Sequence, residues 1–146
     1  MTRKITLGAA NIKLGRQRKL YLGNLEAKRD WGYSPEYVEG IWRMLQLDHP
    51  GDYVLATGET HSVHDFLEAA FEHVGIDWRK CVGFDPLYLR PTEVDSLVGD
   101  YSKARDALGW EPRTRMVSLA QLMVNSDLTL LSDERPQRFQ EKLSGA

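Results

Sequence analysis

The sequence predicts a mixed α/β fold built as one soluble domain or part of one, and three observations carry that expectation. The chain has 146 residues, 42% apolar and 27% charged, the size and balance of a single globular domain able to bury a core. The run Tyr53-Val54-Leu55-Ala56-Thr57-Gly58 lacks polar alternation through Val54 to Ala56, as does a strand covered on both faces in a parallel sheet. Helix-start signals flank it, Ser34-Pro35-Glu36 before and Ser62 with Asp65 after. A doubly covered strand needs neighbouring strands, and the other segments do not supply two convincing ones. Either this run is not a strand, or the chain is the back half of a larger α/β fold.

The elements follow in order. A first helix is expected to take Thr2 as its cap, to align Ile5, Ala9 and Ile12 on one stripe and to end near Gly15. Leu20 to Gly23 is a short apolar strand leading into a polar loop, Asn24 to Gly32, of the kind that contacts ligands. In the second helix Ser34 is the expected cap, Pro35 suits the first helical position and Glu36 complements the positive end of the dipole. Tyr37, Val38, Ile41, Trp42 and Leu45 form the face expected to be buried, and Asp48 to Asp52 ends the element. The third helix, capped by Ser62 with Asp65 three residues on, buries Val63, Phe66, Leu67, Ala70 and Val74 before Gly75. Residues 76 to 99 are loop and short strand, with Val82 to Phe84 and Leu87 to Leu89 extended. Asp100 caps a short helix that stops at Gly109, a last helix runs from about Ser118 to Leu131, and residues 132–146 form a polar tail.

Composition and motifs exclude several function classes. The single cysteine, Cys81, rules out an intramolecular disulfide framework and a thiolate metal cluster, and no local signature makes it a nucleophile. A net charge of −2 predicts no bulk attraction to nucleic acid or to membranes. No apolar run approaches the ~20 residues that cross a bilayer, and the start lacks the apolar segment of a secretion signal, so a cytoplasmic location is expected. His61 and His64, with Asp65 or His73, could share a metal, but His61 precedes the cap and no second close pair follows; ordinary histidines are the stronger reading. Neither Gly-x-Gly-x-x-Gly nor Gly-x-x-x-x-Gly-Lys-Ser/Thr occurs. Tyr101 with Arg105 resembles a Tyr-x-x-x-Lys pair, yet arginine does not give up its proton, so a structural role is expected.

Charge is unevenly placed. Residues 1 to 25 carry Arg3, Lys4, Lys13, Arg16, Arg18 and Lys19 and no acid, which points to an anionic partner. Two segments offer matching chemistry. In the loop from Gly23 to Gly32, Asn24, Lys28, Arg29 and Trp31 suit a diphosphate and a planar ring, because a guanidinium can bind two phosphate oxygens and an indole can stack. An internal Arg29–Asp30 salt bridge with Trp31 in the core explains the same residues equally well. In Leu89-Arg90-Pro91-Thr92-Glu93-Val94-Asp95, Arg90 precedes a proline and is biased to be extended, and Glu93 can accept two bonds from hydroxyls or a base edge; a surface ion pair is the even alternative.

These segments carry a resemblance. Leu22 through Gly32, Asp52 through Val63 and Arg90-Pro91-Thr92-Glu93-Val94-Asp95 closely resemble the GDP-mannose 4,6-dehydratase family in content, order and spacing. Thr2-Arg3-Lys4-Ile5-Thr6 is similar to a helix just after the middle of that enzyme, and Lys103-Ala104 through Leu108-Gly109-Trp110 to a late one. The resemblance covers residues 2–131 and implies the C-terminal part of an extended short-chain dehydrogenase/reductase fold, with the last Rossmann strand and helix and most of a small substrate-binding domain. Tyr53 to Thr57 would be that last strand. The implied reaction converts GDP-mannose to GDP-4-keto-6-deoxymannose, a lyase activity in which a bound NADP carries the hydride. The implied sugar-nucleotide contacts fall on Lys4, Asn24, Arg29, Arg90 and Glu93. The family usually has His, Ala and a basic residue where Tyr33, Ser34 and Pro35 stand, and Arg where His64 stands.

The family's glycine-rich NADP turn and its Tyr-x-x-x-Lys dyad are not in these residues. The chain alone is therefore expected to be inactive, with no catalytic or cofactor-binding residue of its own. The implied partners are GDP-mannose or GDP and a separate N-terminal Rossmann half or further copies of the chain. A non-catalytic sugar-nucleotide binder or interaction module, and a truncated non-functional product, are the alternatives.

Overall fold

The computed structural model describes residues 1–89, 94 and 96–133. In chain order these form α1 (Thr2–Lys13), β1 (Leu20–Leu22), β2 (Lys28–Arg29), α2 (Ser34–Met44), β3 (His61–Ser62), α3 (Val63–His73), β4 (Val82–Phe84), α4 (Ser102–Leu108) and α5 (Met116–Asp133). Single 3₁₀ turns stand at Trp78–Lys80 and Pro86–Tyr88. β1 pairs in parallel with β4, Leu20 opposite Val82, while β2 and β3 form a short antiparallel pair, Lys28 opposite Ser62 and Arg29 opposite His61. Arg90 to Glu93, Asp95 and residues 134–146 lie outside the described residues.

The core sits where α1, α3 and α5 meet, with β1 laid against it. Ile5, Ala9, Phe66, Leu67, Phe71, Ala120 and Val124 are solvent-inaccessible, as the helical spacing of these side chains requires. α3 begins where the sequence expects. The Ser62 hydroxyl accepts from the Asp65 amide at 3.1 Å, and the Asp65 carboxylate accepts from the Ser62 amide at 2.9 Å. Gly75 and Gly109, at φ of 70° and 60°, turn the chain out of α3 and α4 in the left-handed conformation glycine adopts without strain.

Several boundaries differ from expectation. Thr2 and Ser34 lie inside their helices, after Met1 and Tyr33, and neither α1 nor α2 has a side-chain cap. The polar loop contains β2, because Lys28 and Arg29 find a ladder with β3. Leu87 belongs to a 3₁₀ turn rather than an extended piece, since the Asp85 carboxylate captures its amide at 3.0 Å. α4 starts at Ser102, whose amide is held by Asp100 at 2.9 Å, and α5 runs from Met116 to Asp133.

A satellite cluster joins α2 to the α4–α5 connection. Trp110, 1% exposed, donates from Nε1 to the Glu36 carbonyl at 2.7 Å and packs between Tyr37 and Tyr101. Tyr101 is thus structural, and Arg105 pairs with Asp106. The Glu36 carboxylate, on a residue 7% exposed, accepts from the Thr114 hydroxyl at 2.6 Å and from the amides of Arg113 and Thr114. Burial raises its pKa, but the bonds from Thr114 and Arg113 together outweigh that, and the pKa lies below the ordinary 4.5. A depressed carboxylate contributes stability that is present above its unfolded value and lost as pH falls through the folded one. Glu36→Gln is therefore expected to cost about 2 kcal/mol at neutral pH. The gap to wild type in urea unfolding should narrow as pH falls below the ordinary carboxylate range, through the depressed folded-state pKa; a gap constant with pH refutes the assignment.

The predicted buried face of α2 is largely bare. Val38, Ile41, Trp42 and Leu45 are 63%, 52%, 60% and 77% exposed. The adjoining run Tyr53 to Thr57 is not a ladder strand: among the described residues the backbone groups of Tyr53 to Ala56 make no hydrogen bond. Leu55 packs onto Gly40 of α2, where a methyl group would come 2.8 Å from its side chain, while Val54 faces outward, 52% exposed. Helix and extended run together present an uncovered apolar layer.

Candidate functional site

Four segments converge at the N-terminal end of α1: the helix itself, the loop from Gly23 to Trp31, the start of α3 and the turn ending at Tyr88. Between them lies a cavity of about 230 Å³ lined by Met1, Asn24, Ala27, Arg29, Trp31, Val63 and Tyr88. Two cations, Arg3 and Lys4, occupy the first turn of α1, and no acid accompanies them. Positive charge there opposes the helix dipole by roughly 0.3–1 kcal/mol each. Arg3 is compensated internally, its Nη2 lying 3.0 Å from Oδ1 of Asp127, a carboxylate 1% exposed on α5. Lys4 is not. Its ammonium rests on the ring face of Tyr88, 3.1 Å from the centroid.

The loop is shaped from within and clamped on both flanks. Asn24 Oδ1 accepts from the Glu26 amide at 2.9 Å, an Asx turn that leaves the side-chain Nδ2 as the donor Asn24 can offer. The carbonyls of Leu25 and Ala27 accept from the amides of His64 and Val63. Arg29 Nη1 donates to the carbonyls of Lys28 and Val94, both at 2.6 Å, which fixes the guanidinium at the cavity lining. Asp30 serves the scaffold instead. Its Oδ1 accepts from the amide and hydroxyl of Thr57 at 2.9 and 2.6 Å, and its Oδ2 from the amides of Gly58 and Gly99 at 3.0 and 3.1 Å. Trp31 lines the cavity and also packs edge-on against buried Phe66, so it serves the wall and the core together.

Of the five residues the sequence singles out, Asn24 and Arg29 line one cavity and Lys4 abuts it through Tyr88; Arg90 and Glu93 lie outside the described residues. The structure adds Tyr88 and Asp30 as site builders, which sequence motifs alone do not single out. Tyr88 adjoins the Arg90 motif by a single intervening residue, the one signal that could have found it. Among the described residues the cavity lining carries no acid, which suits an anion. A larger cavity of about 390 Å³ beside α3 has the opposite character, with Glu68, Glu72 and Asp77 against Arg79.

No group of three His, Cys, Asp or Glu that could hold a metal occurs among the described residues. His64 packs edge-on against Trp78 and His73 bonds Asn125 at 2.8 Å. Burial, and then the nearby Asp77 charge, push the Cys81 thiol up, away from the thiolate a nucleophile needs. The described residues do not fit a dinucleotide either: the first amides of α3 are already engaged, Val63 and His64 by the Ala27 and Leu25 carbonyls and Asp65 by the Ser62 hydroxyl, and no glycine-rich strand-to-helix turn opens a helix among them. No helix among the described residues is long and apolar enough to cross a membrane.

Comparison with known proteins adds lineage to this geometry. The family described as GDP-mannose 4,6 dehydratase matches residues 1–123. GDP-mannose 4,6 dehydratase 1 of Arabidopsis thaliana is 50% identical over 135 residues, covering 92% of this chain and 37% of its own length. The GDP-mannose 4,6-dehydratase of Sinorhizobium fredii is 53% identical over 152 residues, covering 92% of this chain and 43% of its own. The chain thus spans about two fifths of the relatives it matches. Among solved structures, RMD from Pseudomonas aeruginosa complexed with NADPH superposes with a TM-score of 0.77 at 18% identity, over 88% of this chain and 42% of that one. dTDP-glucose 4,6-dehydratase from Bacillus anthracis, in complex with NAD, gives 0.69 at 19% identity, over 83% and 37%. The architecture is that of part of the extended short-chain dehydrogenase/reductase fold.

Proposed function

The chain belongs to the GDP-mannose 4,6-dehydratase family, and on that premise we propose that it supplies the sugar-nucleotide side of that enzyme's cleft, gathering the diphosphate of GDP-mannose with Lys4, Asn24 and Arg29. One observation carries the reading: three groups separated in sequence meet around a cavity whose described lining holds no acid, at a helix N-terminus that already holds more positive charge than its dipole favours. Arg90 and Glu93 join the set through the resemblance of their motif, Arg90 as a further cation and Glu93 as an acceptor for hydroxyls.

Conversion of GDP-mannose to GDP-4-keto-6-deoxymannose needs a hydride carrier, NADP in this family, and the residues described do not fit one. We therefore assign nucleotide-sugar binding to this chain, in the cytoplasm, and the lyase chemistry to a Rossmann half that packs on the bare layer of α2 and Tyr53 to Ala56. Calorimetry with GDP and GDP-mannose tests the binding. Wild-type chain should bind both, and Arg29→Ala should weaken GDP about 10- to 100-fold, the effect of a lost charge-assisted contact. Absence of heat at millimolar ligand overturns the proposal. The alternative, a sugar-nucleotide binder without chemistry, shares the cavity and differs only in gaining no turnover from a Rossmann partner.

A further inference from the structure

Tyr88 is the part of the cavity that the diphosphate reading leaves unused. Its ring is placed by two local devices. The Asp85 carbonyl accepts from the Tyr88 amide at 3.1 Å, closing the 3₁₀ turn. Gly23 lets the two backbones touch, since a methyl group there would stand 2.5 Å from the Tyr88 carbonyl oxygen. The ring is 48% exposed, lines the cavity with Asn24 and Arg29, and bears the Lys4 ammonium on its face.

A π face is a weak counter-ion compared with a phosphate oxygen. A diphosphate entering beside Arg29 therefore draws Lys4 away from the ring. The uncovered face then stands next to the bound phosphates, where the planar base of a nucleoside diphosphate can reach it. We propose that Lys4 and Tyr88 form an exchange pair: the ammonium passes from ring to diphosphate, and Tyr88 stacks on the nucleobase, so that the site prefers a nucleoside diphosphate to bare pyrophosphate. This inference rests on the diphosphate reading of the cavity and adds to it the residue that selects for a base.

The test compares pyrophosphate with GDP on the full chain by calorimetry, for wild type, Tyr88→Leu and Tyr88→Phe. Tyr88→Leu should weaken GDP roughly 5- to 100-fold, the range of one base-on-aromatic stack, and leave pyrophosphate unchanged or tighter. Tyr88→Phe keeps the ring and should hold both ligands within about twofold. Proton NMR gives an independent readout that needs no variant. The Lys4 ε-methylene signals should lie upfield in the free chain, under the ring current, and move downfield when pyrophosphate binds. Equal losses for both ligands in Tyr88→Leu, no loss for GDP, or Lys4 signals that stay in place overturn the exchange pair while leaving the diphosphate site standing. A wild-type chain that binds neither ligand overturns both. A thermal melt establishes that Tyr88→Leu is folded; if it is not, the phenylalanine variant and the Lys4 signals decide.

Discussion

Asp30→Ala is expected to lower unfolding stability by about 3 kcal/mol or more, with a matching fall in melting temperature of roughly 6–12 °C. The carboxylate accepts four bonds, from the Thr57 amide and hydroxyl and from the Gly58 and Gly99 amides, and so ties the Arg29 loop to two distant stretches of chain. Bonds to a charged acceptor are worth about 1.5–3 kcal/mol each, but these share two oxygens on a half-buried residue and do not add in full. The loss should also reach the cavity. Arg29 is the next residue, and its guanidinium is fixed through the carbonyls of Lys28 and Val94, so loosening the loop should weaken GDP binding by at least the factor seen for Arg29→Ala. Asp30→Asn, which retains one acceptor oxygen, should fall between. Unchanged urea unfolding in Asp30→Ala would remove Asp30 from its organising role.

The second large effect is on turnover. The chain alone is expected to leave GDP-mannose unconsumed, and co-expression with a family N-terminal Rossmann half, NADP supplied, is expected to restore its conversion. The physical ground is the bare layer. Val38, Ile41, Trp42, Leu45 and Val54 stay in water beside a run of backbone whose amides and carbonyls lack partners among the described residues. Covering apolar surface returns about 25 cal/mol per Å², and a partner strand would satisfy the backbone. Trp42→Asp places a charge in that layer and should abolish both co-purification and turnover while leaving GDP calorimetry unchanged, because Trp42 is exposed on α2 and does not line the cavity. A soluble assembled pair that yields no product sinks the complementation proposal and favours the non-catalytic binder. Turnover by the isolated chain sinks it from the other side.

Legibility followed the range of the interactions. α3 is legible from Ser62 to Gly75 because its cap, its buried face and its terminating glycine are all local features. The bounds of α2 are equally legible, but the exposure of its apolar face is not, since amphipathic spacing says which side seeks cover and not whether the cover is present. Tyr53 to Thr57 shows the same limit: its apolar run names the environment it suits, while a strand exists only when a second backbone pairs with it.

At the cavity, the sequence by itself determined the kinds of group available, an amide, a guanidinium and an ammonium at a basic end, and the family whose motifs order them. Only the tertiary structure decided which of the two even readings of the loop each residue takes. Asp30 goes to backbone amides of Thr57, Gly58 and Gly99, while Arg29 goes to the cavity lining, and Trp31 shares wall and core. It also brought Tyr88 onto Lys4, across more than half the chain. The physical reason is that side-chain chemistry is written residue by residue, whereas the partner of a charge or a ring depends on which distant segments packing sets within a few ångströms of it.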